Sequence, residues 1–445
     1  MILNAVLPDL RMKNALLIIV SLLFYAYGES VYIGLMLLST VVNYICGRMM
    51  ESGCKKKPLF FAVIFNLGML GIFKYLDMII MTIDQIRAAK IPCPGLRLPI
   101  GISFFTFQIM SYVIDVYRGD AKVQKNYAHL LLYIAFFPQL IAGPIIKYHE
   151  LETQITSREV TIDQTAMGLR RFAIGLSKKV LISNVMASAV DKIFALSFSQ
   201  INCVTAWIGA IAYLMQIYYD FSGYSDMAIG MGQIFGFRFM ENFQYPYAAV
   251  TIWDFWHRWH ISLSTWFKEY LYIPLGGNRK GELRTCINKM IVFFCTGLWH
   301  GANWTFVFWG LYHGAFLLLE EVTPAKRLPR FIGHIYNIFI VTIGFVIFRA
   351  DTITQGMQMI LKMFTAMNFT PELMHIAWRF MTPMLVFVMI IAWIGAFPVK
   401  EAVAQHFGGK RRAEILSYLA AWGLLILSIL SLSSATYNPF IYFRF

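Results

Sequence analysis

The chain has 445 residues, of which 58% are hydrophobic and only 14% charged. A water-soluble domain carries roughly 25% charged residues, so this composition excludes an ordinary soluble globular protein and fits a chain whose solvent is lipid. The formal net charge is +14, but the cations sit between apolar runs, at Lys55-Lys56-Lys57, Lys178-Lys179, Arg279-Lys280, Lys326-Arg327 and Lys410-Arg411-Arg412. That is the pattern of loops that set membrane orientation and meet anionic headgroups. No soluble basic domain is present to bind nucleic acid, so membrane lipids are the expected partners of this charge and nucleic acid is not.

Taken in order, apolar stretches of spanning length fall near residues 14–28, 31–47, 59–83, 98–116, 128–146, 170–197, 204–219, 287–302, 304–320, 331–348, 381–397 and 414–434. This predicts an all-α polytopic membrane protein with roughly ten to twelve membrane helices. Arg11 and Lys13 precede the first helix and the Arg48–Lys57 cluster follows the second, which puts both on the cytoplasmic side by the positive-inside rule. The first run, 15–27, leads into Gly28-Glu29-Ser30 without a small-x-small cleavage site and reads as a helix that stays. No linker, repeat or low-complexity segment divides residues 1–445, which read as one membrane domain. Six cysteines (46, 54, 93, 203, 286 and 295) form no C-x-x-C pair, so neither a disulfide framework nor a zinc ribbon is indicated.

Polar groups at membrane depth are costly, so their positions carry the functional signal. Asp220 and Asp226, with Ser222 and Ser225, interrupt an apolar stretch. They read either as a short loop at the bilayer surface or as a cavity wall in which a carboxylate orients a histidine or arginine. In Trp253-Asp254-Phe255-Trp256-His257-Arg258-Trp259-His260, a helix would pair Asp254 with Arg258 at i,i+4. It would also lay the Trp256 indole along His260 and put His257 and His260 on one face. No third ligand is spaced for a metal, and H-E-x-x-H is absent, so no metal is expected.

His300 stands in a run without a charged residue from Ile291 to Leu319, flanked by Gly297 and Gly301. The glycines remove side-chain bulk, so a substrate or a second backbone could come close. A desolvated imidazole is neutral and able to accept a proton from a hydroxyl. His313, in Tyr312-His313-Gly314, is a secondary candidate. Pro274-Leu275-Gly276-Gly277-Asn278-Arg279-Lys280 reads as an ordinary loop or as a site for a phosphorylated donor, through Arg279 and Lys280. The G-x-S-x-G elbow, Walker A and strand-linked G-x-G-x-x-G are absent.

With these residues laid out, the chain resembles the membrane-bound O-acyltransferase family, and within it the bacterial polysaccharide O-acetylation branch. The resemblance spans nearly the whole chain. It runs through Leu98-Pro99-Ile100-Gly101-Ile102-Ser103, Phe137-Pro138-Gln139 with Ala142-Gly143-Pro144, Asp220 to Asp226, and Asp254 to His260. It continues through Tyr272-Ile273-Pro274-Leu275-Gly276-Gly277, Trp299-His300-Gly301-Ala302-Asn303-Trp304, Phe348-Arg349-Ala350-Asp351 and Pro439 to Phe445. One departure is that Asn14 stands close to the first residue, where members often carry a further apolar segment.

The resemblance implies a ring of membrane helices around a central tunnel, with the catalytic core at about 98–320. It also implies a multi-pass location in the bacterial cytoplasmic membrane, His300 of W-H-G as the catalytic residue, and His260 of R-W-H as its partner. No bound cofactor is implied; the acyl donor is a substrate such as acetyl-CoA. Asp220, Asp226, Asp254, Arg258, Trp299, Asn303 and Trp304 are expected to shape the cavity, with the Asn303 amide or an indole N–H polarising the thioester carbonyl. The implied acceptor is an extracytoplasmic polysaccharide, served by a separate acetylesterase-like (SGNH-type) partner. The alternatives are D-alanyl transfer to teichoic acids and a non-catalytic acyl-donor conduit.

Overall fold

The structure, a computed structural model, describes residues 2–53, 55–87, 90–323, 328–399, 410–434 and 439–441. Cys54, Lys326-Arg327 and residues 442–445 lie outside the described residues, as do the side chains of Lys410 and Arg411. All regular elements among the described residues are helices. Two compact units emerge, one of residues 1–169 with 228–240, the other of 170–227 with 241–445.

In the first unit, α1 (Leu10–Gly28), α2 (Ile33–Met50) and α3 (Lys56–Leu70) precede α4 (Leu76–Arg87), α5 (Ile102–Arg118), α6 (Tyr127–Ala135) and α7 (Tyr148–Ser157). Without water, backbone and side-chain polar groups must find partners inside the protein. The amides of Asn43 and Asn66 therefore bond to each other in both directions, at 2.7 and 3.2 Å, joining α2 to α3. Lys74 lies in a π-helical turn, Gly71–Tyr75, and donates to Ser103 at the start of α5 (2.8 Å).

In the second unit, α8 (Ile162–Ser177, entering at Arg170) leads through a π-helical turn, Lys178–Ser183, into α9 (Asn184–Phe194). The long α10 (Cys203–Ile234) crosses α8 at Gly175 and Gly223: a Cβ on either glycine would lie 2.6 or 2.8 Å from the other's carbonyl oxygen. Two short helices, α11 (Ile252–Arg258) and α12 (Ile261–Phe267), precede the hairpin of α13 (Glu282–His300) and α14 (Trp304–Val322). That hairpin closes on glycine. A Cβ at Gly297 would meet the Phe306 carbonyl oxygen at 2.4 Å, and one at Gly310 would meet that of Phe293 at 2.2 Å. α15 (Arg330–Arg349), α16 (Ile353–Thr365), α17 (Pro371–Phe380), α18 (Pro383–Gly395) and α19 (Lys410–Ser434) follow.

Six described helical stretches are long and apolar enough to cross a membrane, or seven if the bent pair Pro371–Phe380 and Pro383–Gly395 is one span. The other expected spans are helices that are shorter or more polar. α6 stops at Ala135, ahead of Pro138, because proline cannot continue a helix interior. The 204–219 run lies inside α10, whose buried Gln216, Asp220, Ser222 and Ser225 reduce its apolarity.

Candidate active site

The site is built at a break in the backbone. α11 ends at Arg258, capped at its start by Thr251, whose hydroxyl accepts from the Asp254 N–H at 3.0 Å. Trp259 is extended and His260 takes a left-handed conformation (φ 44°) before α12 begins. A non-glycine residue in that region is strained, and such strain collects at functional sites. The i,i+3 and i,i+4 relations expected for His260 are therefore not formed. Trp256 packs edge-on against His313 (ring centres 5.2 Å apart) instead of along His260, and His257 lies exposed against Trp253 (3.9 Å).

The turn carries the His260 ring into the unit's interior, where its partner is Asn242. The Asn242 side-chain oxygen takes the backbone N–H of Ser262 (3.2 Å), the Ser262 hydroxyl (2.9 Å) and Nδ1 of His260 (3.2 Å), and its NH2 donates to Ser225 (3.0 Å). A backbone N–H can only donate, so the amide group facing Ser262 and His260 is the oxygen, and His260 Nδ1 carries the proton. Nε2 is then the bare, proton-accepting nitrogen; it has no hydrogen-bond partner among the described residues.

His300 is the last residue of α13 and is buried. Its ring centre lies 6.2 Å from that of His260, 5.2 Å from Trp299, 5.0 Å from Trp309 and 5.3 Å from Phe348. Trp299 closes the other side of His260 at 5.7 Å and Phe221 packs on it edge-on at 4.6 Å. A cavity of about 10 Å³ lies among Ile217, Phe221, Trp259, His300, Trp309, Phe345 and Phe348, roughly the space of one water. Two imidazoles thus share an aromatic box of low polarity, which strengthens any charge–dipole interaction inside it.

The remaining expected site residues fall elsewhere. Asp220 and Asp226 lie within the continuous helix α10, not in a surface loop, and each takes cations from α8 and its π turn. Asp226 pairs with Lys178 (2.6 Å) and Arg171 (2.9 Å), while Asp220 pairs with Lys179. Asp220 also accepts from Ser183 (3.0 Å) and from the backbone N–H of Ile441 (2.9 Å), and Lys179 donates to the Pro439 carbonyl (3.1 Å). Lys178-Lys179, read as a loop cluster, is thus an internal counter-charge: a buried carboxylate needs a cation. Asp254 and Arg258 do pair, at 2.7 Å, but at partly exposed positions. Asn303 caps α14 through the Thr305 N–H (3.1 Å) and donates to the Asp351 carbonyl (2.8 Å), so its amide is engaged in holding the turn after His300. Trp304 is 45% exposed. Arg279 and Lys280 are exposed beyond the left-handed Gly276 and Gly277.

The sequence reading missed Asn242 and Trp309. Trp309 had a signal, since it lies four residues before His313 on one helix. Asn242, in an irregular segment 18 residues before His260, had none.

The family model for "MBOAT, membrane-bound O-acyltransferase family" matches residues 59–350, which contain both histidines. The chain belongs to the membrane-bound O-acyltransferase family. It is 37% identical to the protein of Azotobacter vinelandii named "Probable alginate O-acetylase AlgI", over 99% of this chain and 96% of that one. It is 36% identical to the peptidoglycan O-acetyltransferase of Helicobacter pylori, over 79% of this chain and 73% of that one. With the teichoic acid D-alanyltransferase of Bacillus subtilis it shares 28% identity, over 56% of this chain and 68% of that protein. As a membrane-bound O-acyltransferase the chain is an enzyme of acyl transfer, which decides against the conduit alternative.

Proposed function

We propose that this enzyme moves an acetyl group from a cytoplasmic thioester, with acetyl-CoA as the donor class, toward hydroxyls of a polysaccharide outside the cytoplasmic membrane of a bacterium, and that His300 is its general base. The observation that carries the role of His300 is the buried imidazole pair, 6.2 Å apart between ring centres, inside aromatic walls. The full-length similarity to proteins named as O-acetylases supports acetyl over D-alanyl, since the D-alanyltransferase similarity covers 56% of the chain.

In the reaction, His300 takes the proton of the acceptor hydroxyl while that oxygen forms a C–O bond to the acyl carbon. The C–S bond breaks, and the proton passes to the departing thiolate. A positioned base is worth typically 10²–10⁴-fold. His260, its proton fixed on Nδ1 by Asn242, presents the lone pair of Nε2 in the same aromatic box, where it steadies the His300 imidazolium that forms when the hydroxyl proton is taken. Residues 1–445 act as one catalytic domain in this reading, with the core chemistry between 98 and 320. The Asp254–Arg258 pair and the Arg279-Lys280 loop serve its rim, and a secreted SGNH-type esterase-like partner completes delivery to the polymer.

The test is a deletion strain complemented with wild type or His300→Ala. Base-released acetate from purified envelope polysaccharide is measured together with the membrane level of the protein. Full acetylation by His300→Ala at equal protein level overturns the catalytic role. An operon neighbour encoding an acyl carrier protein and its ligase would favour D-alanine instead.

A further inference from the structure

A second cavity in the same unit plays no part in the mechanism above. It has a volume of about 510 Å³ and lies between α10 and α18, with Cys203, Trp207 and Ile211 on one wall and Leu385, Met389 and Trp393 on the other. The walls are apolar side chains, and the Trp207 indole N–H is taken up by the Met363 carbonyl (3.0 Å). Beyond Ile211 the two helices meet: the Tyr219 hydroxyl donates to the Ala392 carbonyl (2.7 Å). At the other end α10 is tied to the segment that leads into α17, through the Cys203 N–H to the Ala366 carbonyl (2.9 Å) and the Asn202 amide to the Asn368 carbonyl (3.4 Å). The hollow follows from a broken span. α17 and α18 are bent by 61°, and Pro383 at the start of α18 has no N–H with which to continue the preceding helix.

The outer face of α18 carries exposed Met384, Phe387, Ile391 and Ile394, so this part of the chain meets hydrocarbon. A hollow open to hydrocarbon is filled, because an empty one deprives its lining of dispersion contacts. Water is a poor filler, since it needs two to four polar partners. Length narrows the choice further. The lining runs from Cys203 to Ile211 and from Leu385 to Trp393, each about 12 Å of helix, against about 15 Å for one leaflet of the hydrocarbon core. A helix 10–12 Å wide and as long as the lining occupies roughly 1,000 Å³ or more, twice the cavity, so a partner's helix does not fit inside. A single acyl chain does.

Bulk lipid tails are as apolar as these walls, so the headgroup has to supply the selectivity. α17 provides for one. Ala377 is buried and Leu373, Met374 and Ile376 are half-buried, while His375, Trp378 and Arg379 are exposed. An exposed tryptophan beside a cation on an amphipathic helix is the pattern of a membrane interface. Arg379 stands two residues before Met381, which lines the cavity, and it has no ion-pair partner among the described residues. The carboxylate of this helix, Glu372, is in its first turn, at the opposite end. We propose that the cavity between α10 and α18 binds one acyl chain of an anionic membrane phospholipid, whose phosphate meets Arg379 beside Trp378. The site is independent of the roles given to His300 and His260.

The test uses the purified full-length enzyme in detergent, incubated with phosphatidylglycerol or with phosphatidylethanolamine, and counts retained lipid by native mass spectrometry. Wild type should retain one phosphatidylglycerol, held about fivefold more tightly than phosphatidylethanolamine, the worth of one cation at an anionic surface. Arg379→Gln, at an exposed position, should lose the preference between headgroups. Ile208→Trp and Val386→Phe fill the cavity from opposite walls and should abolish retention of both lipids, with folding checked by thermal unfolding and gel filtration. A further arm needs no variant. Phosphatidylglycerol with a diazirine on its acyl chain, photolysed on wild type, should label peptides containing residues 203–211 and 381–393. Labelling confined to other helices overturns the proposal, as does equal retention of the two lipids by wild type or undiminished retention by a folded, cavity-filled variant. A second copy or a single-span protein that leaves wild type's complex on Ile208→Trp substitution overturns it too, since a helix is then the occupant.

Discussion

The bond network around Asn242 makes a sharp prediction. Replacing Asn242 with leucine keeps the volume but removes the acceptor shared by the Ser262 N–H, the Ser262 hydroxyl and His260 Nδ1, together with the donor to Ser225. The hydroxyls of Ser262 and Ser225 can turn elsewhere. The Ser262 N–H cannot, and a stranded donor costs about 1–3 kcal/mol. The His260 Nδ1–H keeps only the longer contact to the Ser262 hydroxyl, 3.4 Å away, and the ring otherwise moves its proton to Nε2, which eliminates the bare nitrogen. Asn242→Leu should therefore lose polymer acetylation by about tenfold or more beyond any loss of folded protein, one stranded bond of about 1.4 kcal/mol being worth a factor of ten. Asn242→Asp, which keeps an oxygen at the same place and accepts from Ser225 on the other, should retain most activity. The assay is acetate released per unit of membrane-inserted protein in the complemented strain. Wild-type acetylation by Asn242→Leu at equal protein level would refute the reasoning that His260 works through a fixed tautomer.

Other consequences follow from the packing and charges. Gly310→Ala puts a Cβ within 2.2 Å of the Phe293 carbonyl, so α13 and α14 must separate; the overpacking cost is about 1–3 kcal/mol and should appear as a lowered unfolding temperature in detergent. Lys179→Met or Asp220→Asn alone should cut folded yield more severely than the double substitution, because removing one member of a buried pair strands the other, at about 3–5 kcal/mol; fluorescence-detected gel filtration of the three variants reads this. The His149 imidazole, on α7, is held above its ordinary range by its hydrogen bond to Asp115 at 2.9 Å. Its charged form stabilises the fold, so the contribution is complete below the unfolded histidine range and fades as pH rises through the raised value. The unfolding temperature should therefore fall between about pH 6.5 and mildly alkaline pH, and His149→Gln should flatten that slope.

The sequence by itself determined the solvent and the fold class, and it singled out the candidate residue for the proposed chemistry. So few charges in 445 residues leave lipid as the only surroundings that composition can satisfy. An imidazole between two glycines, in an uncharged run shared with His313, made His300 the candidate, because ionisable groups at that depth are costly. The Asp254–Arg258 pair was equally legible, being a local i,i+4 relation within one helix.

Tertiary structure decided everything that depended on a second, distant segment. It placed His260 beside His300 across 40 residues, by a left-handed turn that no helical period announces. It matched Asp220 with Lys179 across 41 positions, an internal ion pair that no local spacing announces. It brought Asn242 under His260 from an irregular segment with no pattern of its own. Periodicity reports which face of a helix is apolar, but the partner of a buried polar group is fixed by packing in space, where the requirement to satisfy each donor and acceptor is met.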